Sequence, residues 1–240
     1  MARTAIWKSI AQSLTRDIAD GRYATGAKLP SEAQLSAQFG VNRHTVRRAL
    51  AELSEQGLLH ARRGSGVFVA TTPADYPLGK RVRFRQSLRA AGHIPGGEQL
   101  AITTRSADPK EAEALQVSAG TLIHICDALS FVDGQPVGLS QSCFDAERFP
   151  DLPKIHRDTK SVTATFHALG LNDYTRVWTR ITAISASPIQ AGHLRLTEGD
   201  PLLRSECVNA DLSGTPIEYG ITYFAGNRIA LTVDGEALEA

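Results

Sequence analysis

Three cysteines in 240 residues, Cys126, Cys143 and Cys207, are too few and too irregular for a disulfide framework or a thiolate metal site. Their odd number and the lack of CxxC spacing read as reduced, buried thiols of a cytosolic chain. No apolar run approaches the roughly 18 residues that a membrane span needs, and the N-terminus lacks a secretory hydrophobic segment, so a soluble, cytoplasmic chain is expected. His124, His156, His167 and His193 stand far apart without ligand spacing, and no metal is expected. Neither a glycine-rich phosphate loop nor a nucleophile elbow occurs, so no cofactor and no catalytic residue is expected.

The net charge of +1 conceals an uneven distribution. Residues 1–89 carry 15 Lys/Arg against 6 Asp/Glu, and residues 90–240 carry 11 against 19. A basic front and an acidic back imply two units with different partners.

In the basic front, Ile6, Ile10, Leu14 and Ile18 recur every fourth residue, which predicts a helix ending at Gly21. In LPSEAQLSAQFG, Ser31 with Gln34 three residues later predicts a capping box, with Leu35 and Phe39 facing inward and Gly40 ending the helix. Asn42 has the chemistry of a further N-cap, and a helix from about Arg43 to Gln56 follows, its inner face made by Val46, Ala49, Leu50 and Leu53. Two helices joined at a tight glycine turn suggest a helix-turn-helix. The β-prone runs LLHA and GVFV flank RRGSG, predicting a hairpin with a basic tip. Three helices and a basic hairpin are the parts of a winged helix.

The inner face of the second helix leaves Arg43, His44, Arg47 and Arg48 for the outside. Cations at a helix N-terminus oppose its dipole, at a cost of a few tenths to about 1 kcal/mol each. A solvated surface is the plain alternative. Charge set against the dipole, beside a turn and followed by Arg62 and Arg63, favours contact with DNA, where an arginine donates two hydrogen bonds to guanine in the major groove.

Taken together, the LPSE, VNRHTVRRAL and GSGVFV blocks resemble the DNA-binding domain of GntR-family transcription regulators over nearly all of residues 6–70. The resemblance implies DNA contacts from the residues matching Asn42, Arg43, Thr45 and Arg47 and from the hairpin residues matching Arg63 and Gly64. Ser31, Glu32, His44, Arg48, Ser65 and Gly66 complete the candidate set. Many members carry an arginine after the glutamate of LPSE, where this chain has Ala33. A homodimer on a near-palindromic double-stranded operator is implied, because a two-fold protein matches two half-sites.

The expected division is a winged helix-turn-helix over 1–70, a linker over 71–79 and a second domain over 80–240. Within the latter, KRVRFRQSLRAAG reads equally as an ordinary amphipathic helix and as a basic face near DNA or an anionic ligand. An internal repeat organises the rest. Pro109, Leu115 and Gly120 match Pro188, Leu194 and Gly199 at an offset of 79, and Gly134, Pro136 and Phe144 match Gly214, Pro216 and Phe224 at an offset of 80. Each copy reads as helix, strand, tight turn and strand, preceded by a further strand in LAITTRS and in YTRVWTRITAIS. This predicts an α+β domain with an antiparallel sheet, helices and pseudo-two-fold symmetry.

The TRITAIS, GDPLLRSE and GTPIEYGITYF blocks resemble the UTRA ligand-binding domain of the HutC subfamily, which has a chorismate-lyase-like fold, over residues 75–235. DYPLGKRVRFRQSL and VNRHTVRRAL most resemble the phosphonate-metabolism regulators of that subfamily. A ligand-responsive regulator, a repressor of a phosphonate operon, is what the resemblance implies, with a phosphonate or phosphorylated anion as effector. A different small anion or sugar phosphate, a chorismate-lyase-like enzyme, and a ligand-free dimerisation domain are the alternatives.

An anionic effector requires cations or converging N–H donors. Family pockets take arginines from the first hairpin, but HICDALSFVDGQPV contains none. The candidates are Arg83 and Arg85, Arg176 and Arg180, and Glu218 and Tyr219. Strand alternation predicts that Arg176, Trp178 and Arg180 share one face. Each arginine reads equally as a solvent-facing residue, and Glu218 as a ligand contact, an orienter of arginine or a surface acid.

Overall fold

A computed structural model of the chain describes residues 5–62, 64–70, 73–81 and 83–233. The chain divides into two compact units, 1–72 and 73–240. No helix among the described residues is long and apolar enough to cross a membrane.

The first unit holds α1 (Ile6–Ala19), α2 (Glu32–Phe39), α3 (Arg43–Glu55) and the antiparallel hairpin β1 (Leu59–Arg62) with β2 (Gly66–Val69). Its caps are local and readable from sequence. Ser31 Oγ accepts from Gln34 N while Gln34 Oε1 accepts from Ser31 N at 2.8 Å. Gly40 ends α2 in the left-handed region at φ 64°, where a side chain would be strained. Asn42 Oδ1 then accepts from Thr45 N at 2.9 Å to open α3. Ile10 and Leu14 pack with Leu35, Val46, Ala49, Leu50 and Leu53 in one core closed by Leu59 and Val69 of the hairpin. Ile6 departs from the expected stripe. It lies in the first, open turn of α1 and is 64% exposed.

The second unit contains β3 (Ala74–Pro77), α4 (Phe84–Ala90), β4 (Pro95–Ser106), α5 (Pro109–Leu115), β5 (Leu122–Val132), β6 (Gln135–Asp145), α6 (Leu152–Thr159), α7 (Val162–Ala168), β7 (Thr175–Ser185), α8 (Pro188–Leu194), β8 (Pro201–Ala210), β9 (Pro216–Ala225) and β10 (Ile229–Thr232). Six strands form one antiparallel sheet in the order β4-β5-β6-β9-β8-β7. The repeat generates this order. At the centre, Gln141 of β6 pairs with Ile221 of β9, the equivalent residue 80 positions later. A pseudo-two-fold axis therefore runs through that pair, and each flanking strand has its counterpart on the other side.

The helices α5 and α8 open with capping boxes at Asp108 and Ser187 and lie on one face of the sheet, packed through Leu115 and Leu194. The other face is covered at one end by α6 and α7, where Phe166 stacks edge-on to Phe144 and Tyr174. At its opposite end the cover is α4 with β3 and β10, a parallel pair. The stretch expected as a linker up to residue 79 thus contributes a strand. Tyr76 is its anchor, buried against Phe84 and Phe224 at ring separations of 5.0 and 5.8 Å.

Phe166 is fully buried, so Phe166→Ala is expected to destabilise the second unit by about 3–5 kcal/mol. Urea unfolding read by Trp178 fluorescence in a Trp7→Phe background checks this. A loss below about 1 kcal/mol would mean that α7 does not seal the sheet as described.

Candidate functional site

Two surfaces hold the candidate residues, one in each unit. On the first, the opening turns of α3 carry Arg43, His44 and Arg47, all exposed. Thr45 is fixed at the cap, its hydroxyl bonding Asn42 Oδ1 at 2.9 Å. Arg47 is not loose. Its Nε and Nη2 donate to the two carboxylate oxygens of Glu32 at 3.0 and 2.8 Å, which ties the start of α2 to α3. Hydrogen bonding from Arg47 holds the Glu32 carboxyl below its ordinary pKa, and Arg43 and His44 act in the same direction. With Nε engaged, the guanidinium still presents its other edge outward.

Arg48 turns another way, its guanidinium 4.6 Å from the ring centre of Trp7 on α1. Ser31 is occupied in the cap of α2. At the hairpin tip, Gly64 and Gly66 have φ of 73° and 112°, with Ser65 between them in the turn. Arg63 lies outside the described residues. A Cβ at Gly66 would come within 2.9 Å of Lys28 Cε, so the stem of Lys28 runs over this glycine. Lys28 was not among the sequence candidates. Its isolated antiparallel bridge to Phe68, flanked by Leu29 N donating to Val67 O and Val69 N donating to Ala27 O, holds residues 27–29 against the hairpin, which no local pattern announces.

In the second unit a cavity of about 540 Å³ lies between the two covers on the sheet. Its floor consists of two rows of cross-strand neighbours with short side chains. Cys126, Ser142, Gly220 and Cys207 form one, and Ala128, Ser140, Thr222 and Ser205 the other. The pseudo-two-fold axis exchanges these rows. The open volume is thus a consequence of small residues at alternate positions on four strands. Burial pushes the Cys126 thiol up to about 12 and the Cys207 thiol up to about 11.

Arginines come from α4, its leading loop and β7. Arg83 is committed to structure, donating to Tyr174 O at 2.6 Å with its guanidinium 3.6 Å from the centre of the Tyr174 ring. Arg176 Nε donates to Asn209 Oδ1 at 3.3 Å. Asn209 Nδ2 and Ser142 Oγ donate in turn to Glu218 at 2.6 and 2.7 Å, so the single carboxylate lining the cavity among the described residues is buried and bonded at both oxygens. Arg85 is half-buried and has no carboxylate partner among the described residues. Burial, then the neighbouring Arg89, lowers its pKa. Lys160, His156 and His167 add further basic groups to the wall.

The expected common face of Arg176, Trp178 and Arg180 needs correction. A bulge between Arg176 and Trp178 leaves Val177 unpaired and shifts the alternation, so Arg176 faces the cavity while Trp178 and Arg180 point to the opposite side of the sheet. Tyr219, next to Glu218 on β9, is on that opposite side too, its hydroxyl donating to Glu206 Oε1 at 2.8 Å. Ser142, Asn209, Arg89 and His156 were missed by sequence reasoning. The alternating small residues of CDALS and GLSQS were the available signal for the floor. No group of His, Cys, Asp or Glu among the described residues could hold a metal ion.

Two family models match the chain. The model described as bacterial regulatory proteins, gntR family, covers residues 7–69, and the UTRA domain model covers residues 90–230. An uncharacterized HTH-type transcriptional regulator of Rhizobium meliloti is 38% identical over 231 residues, 96% of this chain and 95% of its own length. The probable transcriptional regulator PhnF of Escherichia coli is 32% identical over 230 residues, 95% of this chain and 94% of its own. The crystal structure of PhnF from Mycobacterium smegmatis superposes with a TM-score of 0.62 at 26% identity, covering 94% of this chain and 98% of that one.

With raised pKa values and buried sulfur atoms, Cys126 and Cys207 are expected to stay unlabelled by Ellman's reagent at neutral pH in the native chain, and to react once it is unfolded in guanidinium. Rapid native labelling at either position would mean that the cavity floor is open to solvent.

Proposed function

The chain belongs to the GntR family of transcriptional regulators, in the HutC-type branch that carries a UTRA domain, and we propose that it represses a phosphonate uptake or metabolism operon under control of a small anion. α3 and the hairpin tip form the operator-binding surface, and the protein acts as a homodimer on a near-palindromic duplex. The cavity of the second unit receives the effector. One observation carries the anionic part of this reading. Basic groups surround a cavity whose single carboxylate among the described residues is already hydrogen-bonded at both oxygens. The likeness of DYPLGKRVRFRQSL and VNRHTVRRAL to the phosphonate-metabolism regulators supports a phosphonate or phosphate ester among the possible anions.

On the DNA side, Arg43, His44 and Arg47 set positive charge against the dipole of α3, an arrangement that costs free energy until phosphate or guanine is present. Glu32 then holds Arg47 with one edge free for a base. Communication within the second unit has a physical route. Tyr76 lines the cavity and belongs to β3, which begins just after the boundary at residue 72. An effector that shifts Tyr76 acts on the strand through which the chain enters this unit, and operator release follows from the changed half-site spacing.

Arg43→Ala and Arg47→Ala are each expected to cost about 1–3 kcal/mol of discrimination between operator and random duplex, with an unchanged circular dichroism spectrum. Fluorescence anisotropy against the verified operator measures it, and unaltered discrimination in both variants would remove α3 from base reading. Coupling is reciprocal, so saturating operator should weaken effector binding by the factor by which effector weakens operator binding, typically about 5–150-fold. Equal effector affinity with and without operator in calorimetry would contradict the regulatory mechanism.

A further inference from the structure

The pseudo-two-fold axis sets corresponding rows at the two ends of the cavity floor, and these rows differ sharply in chemistry. At one end Arg176, Asn209 and Glu218 are successive cross-strand neighbours on β7, β8 and β9. Their counterparts on β4, β5 and β6 are Gly97, Ser130 and Gly138, also successive neighbours. The arginine, the amide and the carboxylate of one half are thus replaced by glycine, serine and glycine in the other.

The space left at Gly97 is filled from elsewhere in the fold. A Cβ at this residue would overlap Nη2 of Arg85, so the guanidinium of Arg85, arriving from α4, lies against the backbone where the other half has an arginine of its own. Each end therefore holds one arginine, but among the described residues only one of the two is linked to a carboxylate. Arg176 is linked through Asn209 to the buried Glu218. Arg85 lies over Gly97, which neighbours Ser130, and the basic residues Arg89 and His156 are close enough to interact with it electrostatically. A half-buried guanidinium that lines the cavity without a carboxylate partner among the described residues keeps donors for an anionic ligand.

Resting on the anionic-effector reading, we propose that the effector's anionic group docks on Arg85, where its guanidinium lies over Gly97 beside Ser130 at one end of the cavity floor. Gly97 acts as a specificity-determining position, since its missing side chain is what lets Arg85 reach the floor. This arrangement supplies from α4 the cation that the arginine-free hairpin β5–β6 does not.

Calorimetric titration of the full chain tests the assignment with ethylphosphonate, 2-hydroxyethylphosphonate and 2-aminoethylphosphonate as probes. Arg85→Gln is expected to weaken all three by about ten- to a hundredfold, the loss of one or two charge-assisted bonds. Gly97→Ala keeps the charge and displaces only the flexible end of Arg85, so it should weaken them in the same direction by at least about threefold without altering the unfolding midpoint. Unchanged affinity in Arg85→Gln or Gly97→Ala would overturn the assignment of the anion to Arg85 and leave the anionic-effector reading standing. Absence of binding by wild type to any phosphonate, phosphate ester or small carboxylate would instead remove the anionic-effector reading itself.

Discussion

The pairing of β6 with β9 about the Gln141–Ile221 contact is the constraint on which the second unit rests. It joins two copies of a helix-and-strands repeat into one sheet, where either copy alone would expose a strand edge and an apolar face. The same register aligns Cys126, Ser142, Gly220 and Cys207 in one row and their symmetry mates in the next, so that small side chains coincide across four strands. A slip of one residue would turn these away and bring the apolar set of the other face under α6 and α7. The cavity and the fold therefore share one origin. What distinguishes the cavity's two ends is side-chain substitution, together with a bulge at Val177 of β7 that falls at Leu100 of β4 in the other half.

Function is divided between a unit that carries positive charge on a helix start and a unit that surrounds an interior space with it. In the first, the capping bonds of Ser31 and Asn42 place α2 and α3 so that Glu32 meets Arg47. This acid offsets one cation on an otherwise basic face and fixes its orientation. In the second, Glu218 serves Arg176 through Asn209, and Arg85 has no carboxylate partner among the described residues. Both sites use a carboxylate to organise an arginine, but they leave different donors for the partner molecule.

Much of this was legible in the sequence because it is local or periodic. The caps at Ser31 and Asn42, the turn at Gly40, the inner face of α3 and the 79–80-residue repeat each depend on a few neighbouring residues or on a constant spacing. What was not legible depends on distant partners. Residues 74–77 look like linker until β10 supplies a strand to pair with them. The bulge at Val177 sends Arg180 away from Arg176, and no alternation rule contains it. Arg48 faces Trp7, and Lys28 joins the hairpin, through contacts that sequence spacing does not encode. The glycine at 97 is meaningful only once the end of Arg85 is found over it.

In the proposed function the second unit binds a phosphorus-centred anion inside the small-residue cavity. A phosphorus-31 NMR titration of the full chain with 2-hydroxyethylphosphonate addresses it without labels or substitutions. A saturable shift or broadening of the ligand's phosphorus resonance is expected, reversed by an excess of a competing phosphate ester whose own resonance is resolved from it. A resonance that stays unmoved and sharp at protein concentrations equal to the ligand would contradict it.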